Sequence, residues 1–504
     1  MRYRPAIADP ARRGVVLLAV LVVVVLLTLA AYQYSELMLT EFQAAETSQR
    51  AAQARALADS GVHYAAALLA DKTYFQGTNG NPFDNPQVFQ AKVVRDSDDV
   101  RLQGKFSVIA PLVGQSDTSS HRYGVVDEAG KINLNALLQF DSSGKVAHDM
   151  LMQLPNMTEE IANAMLDWID PSNSTQRSGG AKSDYYAGLN PPYRTKSGPT
   201  DSLEELLLVR GVTPQLLFGA DTNRNGIIDP EEQNGSATDL GWSAYLTFYG
   251  RELNVDADGN PRVYINDTDI SGLIDKLTTA VGADLANYIV AYRLYGPAQA
   301  SKGGKAVTVG GSVNRDQLDT KRKGQSIGSL FELINTSVSI PARDPKMPAI
   351  TYPSPLNNKG TQRQLLPLLL DKTTTSRDTE IPGRININTA PEAVLKTLPG
   401  LNPTDLQTIV SHRPADTSSD PIYQTPAWLL TEANVSPTTL KALERYVTAR
   451  SQVYRVQVVG YFEGGGPAAR VEAVIDTNGG KPRIVYYRDL SELGKGFQTT
   501  SAVP

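Results

Sequence analysis

The chain has 504 residues, enough for several domains, and its 41% hydrophobic and 20% charged residues are the balance of an ordinary globular protein. A net charge of −5 argues against a nucleic-acid partner, and the absence of cysteine excludes disulfides, thiolate catalysis and cysteine-ligated zinc. Four histidines, His63, His121, His148 and His412, are scattered without ligand spacing and read as structural or exposed residues.

The first predicted element is the uncharged apolar run Val15 to Ala31, which with Tyr32-Gln33-Tyr34 is long enough to cross a bilayer as a helix. Arg2, Arg4, Arg12 and Arg13 precede it while Glu36, Glu41 and Glu46 follow, so the N-terminus is expected in the cytoplasm and the remainder outside. Leu29-Ala30-Ala31 offers the alternative of a cleaved secretory signal. Against that, helical spacing continues through Leu39, Phe42, Ala45, Leu57, Val62, Ala65 and Leu69, with no proline before Pro82. The simplest expectation is one helix over about Val15 to Asp71, half in lipid and half amphipathic, weakened at its far end by Gly61. An exported chain without disulfides calls for another staple, and calcium is the natural one.

Strand patterns follow at Arg101 to Leu112 and His121 to Asp127. They return only at Val453 to Phe462, Ala468 to Asp476 and Arg483 to Arg488, with turns at Gly464 to Pro467 and Asn478 to Lys481. The interval carries a repeat. Lys131-Ile132-Asn133-Leu134-Asn135 returns as Val263-Tyr264-Ile265-Asn266 and as Arg384-Ile385-Asn386-Ile387-Asn388, each time ahead of a helical hairpin turning at Pro155-Asn156, Val281-Gly282 or Pro399-Gly400. The asparagines read as turn and cap residues. Capping boxes are expected at Ser202 with Glu205, Ser329 with Glu332 and Thr389 with Glu392, and cap-proline starts at Thr213, Asn402 and Ser436. Pro297 to Gly328 and Ile340 to Glu380 have poor patterning and read as surface loops.

Metal chemistry has one strong candidate. Asp221, Asn223, Asn225, Asp229 and Glu232 occupy positions 1, 3, 5, 9 and 12 of a calcium loop, Gly226 is at the turn, and the Ile227 backbone serves position 7. A second loop, with Asn254, Asp256, Asp258 and Asn260, opens in the same rhythm but has Ile265 at its twelfth position, so it is a weak site or a turn. Leu398-Pro399-Gly400-Leu401 has the form of a DNA-binding helix-hairpin-helix hinge, yet cations around it are few. Gly324-Gln325-Ser326-Ile327-Gly328 fits a nucleophile-elbow pattern, but no buried strand precedes it, so no enzyme is expected.

A basic leader ending in glycine, then a hydrophobic helix running into an amphipathic one, resembles type IV pilins and type II secretion pseudopilins. The resemblance implies cleavage by a prepilin peptidase after Gly14, leaving Val15 first; mature position five is then Ala19, where those families carry glutamate. That departure, and the segments Gly130 to Asn135, Trp168 to Asp170, Gly180 to Tyr186, Pro191 to Arg194, Glu205 to Gly211 and Ile385 to Pro391, resemble the K-type minor pseudopilin of type II secretion. Lys182 stands where that family has an acidic residue, which weakens any calcium site at Asp170 and Asp184.

The resemblance implies an α+β fold: a transmembrane and amphipathic helix with a pilin-like antiparallel sheet, interrupted by a large, mainly helical, SAM-like insert. The implied division is a leader 1–14, a helix 15–72 and a sheet domain 73–130 with 441–504. Helical hairpins occupy 131–219 and 381–440, and an expanded region 220–380 holds the calcium loop and a further hairpin. The implied role is a structural subunit at the pseudopilus tip, initiating or capping assembly. Its implied place is the inner membrane, crossed once, with the bulk in the periplasm. Implied partners are the I-, J- and H-type minor pseudopilins, the major pseudopilin and the prepilin peptidase, with Ca2+ as cofactor and no nucleic acid. Rival readings are a minor pilin of a type IV or DNA-uptake pilus and an exported hydrolase.

Overall fold

The computed structural model describes residues 10–71, 73–75, 79–111, 121–141, 143–172, 176–232, 239–298, 308–342, 347–414 and 420–497. Its first element, α1 (Pro10–Ala70), is an unbroken helix of 61 residues, about 92 Å long at 1.5 Å per residue. Only its far end meets the rest of the protein. Ala54, Leu57, Ala58, Val62, Ala65, Ala66 and Leu69 form one buried stripe, whereas the large apolar side chains from Val15 to Phe42 stand exposed.

The stripe packs on a seven-stranded antiparallel sheet. Its strands are β1 (Lys92–Arg95), β2 (Gly104–Pro111), β3 (His121–Tyr123), β4 (Val126–Asp127), β5 (Val453–Phe462), β6 (Ala469–Asp476) and β7 (Arg483–Asp489). They are ordered β1-β2-β5-β6-β7, with β3 beside β2 and β4 beside β5. Strand alternation puts Phe106, Val108, Val456, Val458, Val471 and Ala473 toward α1 and Ile109, Val459 and Tyr461 on the opposite face. Two glycines set the helix-to-sheet distance. A Cβ on Gly61 would lie 2.5 Å from Val458 Cγ1, and one on Gly460 would lie 2.2 Å from Ala54 O. Gly61 is therefore a packing residue, and its low helix propensity is offset by the close approach it permits.

Between β4 and β5 the chain builds one unit three times. Each unit is closed by a short parallel pair: Ile132–Asn133 with Leu246–Thr247, Val263–Tyr264 with Thr373–Thr374, and Ile385–Asn386 with Val447–Thr448. Each encloses a hairpin of two helices whose turn holds a left-handed residue, Asn156, Gly282 or Gly400. The repeated asparagines bond both locally and across the fold. Asn133 and Asn386 cap locally, accepting from Asn135 N and Asn388 N at 3.0 Å, while their amide nitrogens donate to Gly250 O and to Asp127 and Ser451 respectively. The second asparagine of each copy reaches across its unit. Asn135 exchanges two hydrogen bonds with the Thr200 backbone and Asn266 two with the Ile327 backbone, while Asn388 donates to Tyr423 O and accepts from Trp428 Nε1.

The middle unit hangs on a two-stranded neck, Arg251–Leu253 antiparallel to Glu380–Pro382. Asn478, in the turn between β6 and β7, ties the neck to the sheet through Arg251 O and Leu253 N. The caps at Thr213, Asn402 and Ser436 form, but none of the three expected capping boxes does. Ser202 makes no cap bond, and the Thr389 hydroxyl is drawn away to Asp127. Ser329 does cap, accepting from Phe331 N over the short helix Leu330–Leu333. Ile340 to Glu380 is not a surface loop throughout. It contains the helix Lys359–Lys372, with Leu366, Pro367 and Leu369 buried.

Candidate functional site

The joint between sheet and insert is built on two carboxylates that no motif marks. Asp127, at the end of β4, is buried and accepts from Asn386 Nδ2 and Ala129 N, each at 2.8 Å, and from the hydroxyls of Thr389 and Ser451. Burial pushes its carboxyl up, against those hydrogen bonds. Glu128, fully buried, accepts from Arg455 Nε at 2.7 Å and from the Thr247 hydroxyl, with Lys131 Nζ at 4.0 Å. Burial alone would raise the Glu128 carboxyl, but the Arg455 and Lys131 charges with those hydrogen bonds outweigh it and hold it at about 2. The pair thus ties β4 and β5 to the first unit through Thr247 and to the third through Asn386 and Thr389.

The Asp221–Glu232 loop lies on the sheet face opposite α1. Ile227 packs with Ile109, Val459, Tyr461 and Phe497. Gly226 has φ +80°, and a Cβ there would fall 2.6 Å from Pro111 Cγ, so both backbone and packing demand glycine. The motif's ends converge. Asp221 accepts from Asn225 N and Gly226 N at 3.0 and 2.8 Å. Glu232 folds back to accept from Thr222 N, Asn223 N and Asp229 N at 2.9, 3.0 and 3.1 Å. Burial, and then the Glu232 charge, push the Asp221 carboxyl up to about 7. This all-oxygen set fits a hard divalent cation. Asn223 and Asn225 turn their amide nitrogens to Asp229 Oδ2, at 2.6 and 2.9 Å, so loading would rotate both. Among the described residues no three His, Asp or Glu side chains form a metal-holding group by themselves. The ligand set therefore depends on the two asparagines and the Ile227 carbonyl as well.

In the weaker acidic sites a side-chain cation already sits on Asp256 and Asp258 and on Asp170. In the second loop Lys372 Nζ lies 2.8 Å from Asp256 and 2.6 Å from Asp258, and those bonds hold its ammonium well above the usual lysine range. Asn254 is turned to Ser376 O and Asp378 O, and Asn260 N donates to Asp256. At the first unit Arg177 Nη1 bridges Asp167 and Asp170 at 2.8 and 3.1 Å, while Asp184 is exposed on the short helix Ser183–Ala187. Ser326 is exposed in a loop, and His412 Nδ1 is engaged by Thr408 O and Ser411 Oγ, so no nucleophile and base are brought together there. Gly14, Val15 and Ala19 lie exposed on α1, which among the described residues is the one helix long and apolar enough to cross a membrane by length and composition.

Residues 130–218 and 385–446 match two family descriptions, both printed as type II secretion system (T2SS), protein K. These are the first and third units; the middle one lies between them. Among solved structures the chain is similar to one in the GspK-GspI-GspJ complex of the enterotoxigenic Escherichia coli type 2 secretion system. Identity there is 13%, the TM-score is 0.42, and the match covers 88% of this chain and 98% of that one. No curated protein matches.

Proposed function

Two of the three units match type II secretion system protein K, and from that premise we propose that the chain is a minor pseudopilin seated at the tip of the pseudopilus, where it initiates or caps assembly. The observation that carries this is the shape of the molecule: a single helix, exposed from Val15 to Phe42, bears a head of three units on one sheet. A head so broad has room at the end of a fibre and clashes with neighbours in its middle. Ala19 is consistent with that place, since a subunit with nothing above it has no α-amine to neutralise. In this reading prepilin peptidase cuts between Gly14 and Val15, α1 crosses the inner membrane once, and the head is periplasmic. Its partners are the other minor pseudopilins, whose helices associate with α1 in the bilayer.

Two measurements test it. N-terminal sequencing of the membrane-extracted protein is expected to start at Val15; a start near Ala31 removes the anchor and the placement with it. Cross-linking within a purified pseudopilin assembly is expected to find neighbours on one side of the head only. Neighbours both above and below would overturn the tip position.

We also propose calcium as the ligand of Asp221, Asn223, Asn225, Ile227 O, Asp229 and Glu232. Bound there, the ion supplies charge neutralisation for three carboxylates. The chain's own part is to hold the loop against the sheet: Gln457 Nε2 donates to Arg224 O at 2.8 Å, and Ile227 packs on Ile109 and Val459. A loop fastened on both sides transmits its own ordering to the joint between insert and sheet.

A further inference from the structure

Beneath the Asp221–Glu232 loop lies a side chain that neither the sheet core nor the ligand set uses. Arg470 projects from β6 on the face opposite α1 and is 0% exposed. Its Nη2 donates to Asn223 O, a backbone carbonyl of the loop, while its Nε and Nη1 have no hydrogen-bond partner. Gly496 backs onto it so closely that a Cβ there would overlap Nη1, and the C-terminal segment thereby seals the guanidinium from water. A buried guanidinium with two idle nitrogens persists only where nearby negative charge holds it. Those charges are Asp221, Glu472 and Asp229. Glu472 is already engaged by Arg455 at 2.6 Å and by Gln457 at 3.0 Å, so the negative charge left to face Arg470 is that of the two loop carboxylates, which act on it from beyond ion-pair distance while Asn223 O fixes it under the loop.

We propose that Arg470 is the internal counter-ion of the calcium loop and the residue that sets how tightly the loop takes a divalent cation. The proposal rests on the calcium reading above and deepens it. With the guanidinium behind the loop, a cation arriving from solvent meets Asp221 and Asp229 already partly neutralised, and it is repelled by a fixed positive charge in a poorly screened interior. Arg470 and calcium therefore compete for the same negative charge. Without calcium the arginine keeps the loop closed; with calcium the arginine is the cost that keeps affinity moderate, so that occupancy follows the external concentration.

The test uses the full chain in detergent micelles, titrated with calcium chloride by calorimetry and melted in chelator and in millimolar calcium. Arg470→Met is expected to bind calcium about tenfold more tightly than the wild type, about 1.4 kcal/mol. Its melting temperature should rise more on calcium addition than the wild type's, because the ion replaces the lost counter-charge. Arg470→Lys, which keeps the charge, is expected to stay within about threefold of the wild type. An Arg470→Met isotherm equal to or weaker than the wild type's would overturn the proposal, as would a calcium-induced shift no larger than the wild type's. So would an Arg470→Met protein unfolded in chelator and calcium alike, since the arginine would then be a structural donor that no ion replaces. Failure of the calcium reading itself looks different: wild type and Arg470→Met both bind nothing, or Glu232→Gln leaves the wild-type isotherm unchanged.

Discussion

Glu128 shows what a single buried charge does in this molecule. Its buried carboxylate faces Arg455 and Lys131, so Glu128→Gln leaves two buried cations to share what remains, Glu472 for Arg455 and the Ser243 carbonyl for Lys131. The expected loss is about 3–5 kcal/mol of stability, read from urea unfolding of the full chain in detergent. The sign with pH follows from the depressed carboxyl. Stability from Glu128 is fully present above its ordinary value of 4.5 and is lost as pH falls through about 2. The wild type should therefore weaken across that acid window, and Glu128→Gln should show a flatter profile there; an equal slope in both would place the acid sensitivity elsewhere. Legibility at this scale depended on distance along the chain. The ligands of the Asp221 loop lie within twelve residues and were readable as a motif. Glu128 meets Thr247 and Arg455 across 119 and 327 residues, and no local pattern can announce such a pair. Lys372 was missed for the same reason, lying 116 and 114 residues from Asp256 and Asp258, whereas Arg177 is only 10 and 7 residues from Asp167 and Asp170 and was missed because no ligand motif includes a cation.

Among the elements, α1 was the most legible, because a long apolar run and a three-and-four spacing both survive in one dimension. What the sequence did not reveal was how closely α1 lies on the sheet. A Cβ at Gly460 would meet the Ala54 backbone oxygen rather than a movable side chain, so Gly460→Ala must shift the whole helix. The expected cost is about 1–3 kcal/mol, checked by thermal unfolding; Gly61→Ala, facing the tips of Val458 and Phe106, should cost less. The helix Lys359–Lys372 was hidden by Pro367, which ordinarily stops a helix and here lies buried within one. Where the middle unit meets the third, Glu444 is half-buried and accepts from Leu330 N and the Ser329 hydroxyl. Burial outweighs those bonds and pushes its carboxyl up, so its ionised form costs stability as pH rises past the ordinary carboxylate range. Glu444→Gln keeps an acceptor and discards the charge. It should raise stability at neutral pH by about 1 kcal/mol and have no such effect in acid, where the carboxyl is already neutral; a loss at neutral pH would show that the charge is needed.

At the scale of the whole molecule, the repeated asparagines made three units visible, but their boundaries were not, because the closing strands Leu246–Thr247, Thr373–Thr374 and Val447–Thr448 are too short to show a period. Once those pairs are known, the middle unit is seen to be inserted through its neck, and the contacts of the joint fall outside it. Asp127, Glu128, Thr247, Asn386, Thr389, Ser451 and Arg455 all lie before Asn254 or after Thr379. Leu253 and Glu380 are direct antiparallel partners, so replacing residues 254–379 with a two-residue turn makes the neck a hairpin. The excised chain loses cover over the third unit, including the Arg363 bridges to Asp420 and Glu432 and the Lys441 bridge to Glu332, and should melt at a lower temperature. It should still unfold in one step and still co-purify with the minor pseudopilins proposed as its partners, because stalk, sheet and joint are untouched. Co-purification measured alongside the melt decides what the middle unit is: a folded excised chain that has lost its partners would make that unit the docking surface, and a chain that no longer folds would make the three units one indivisible core.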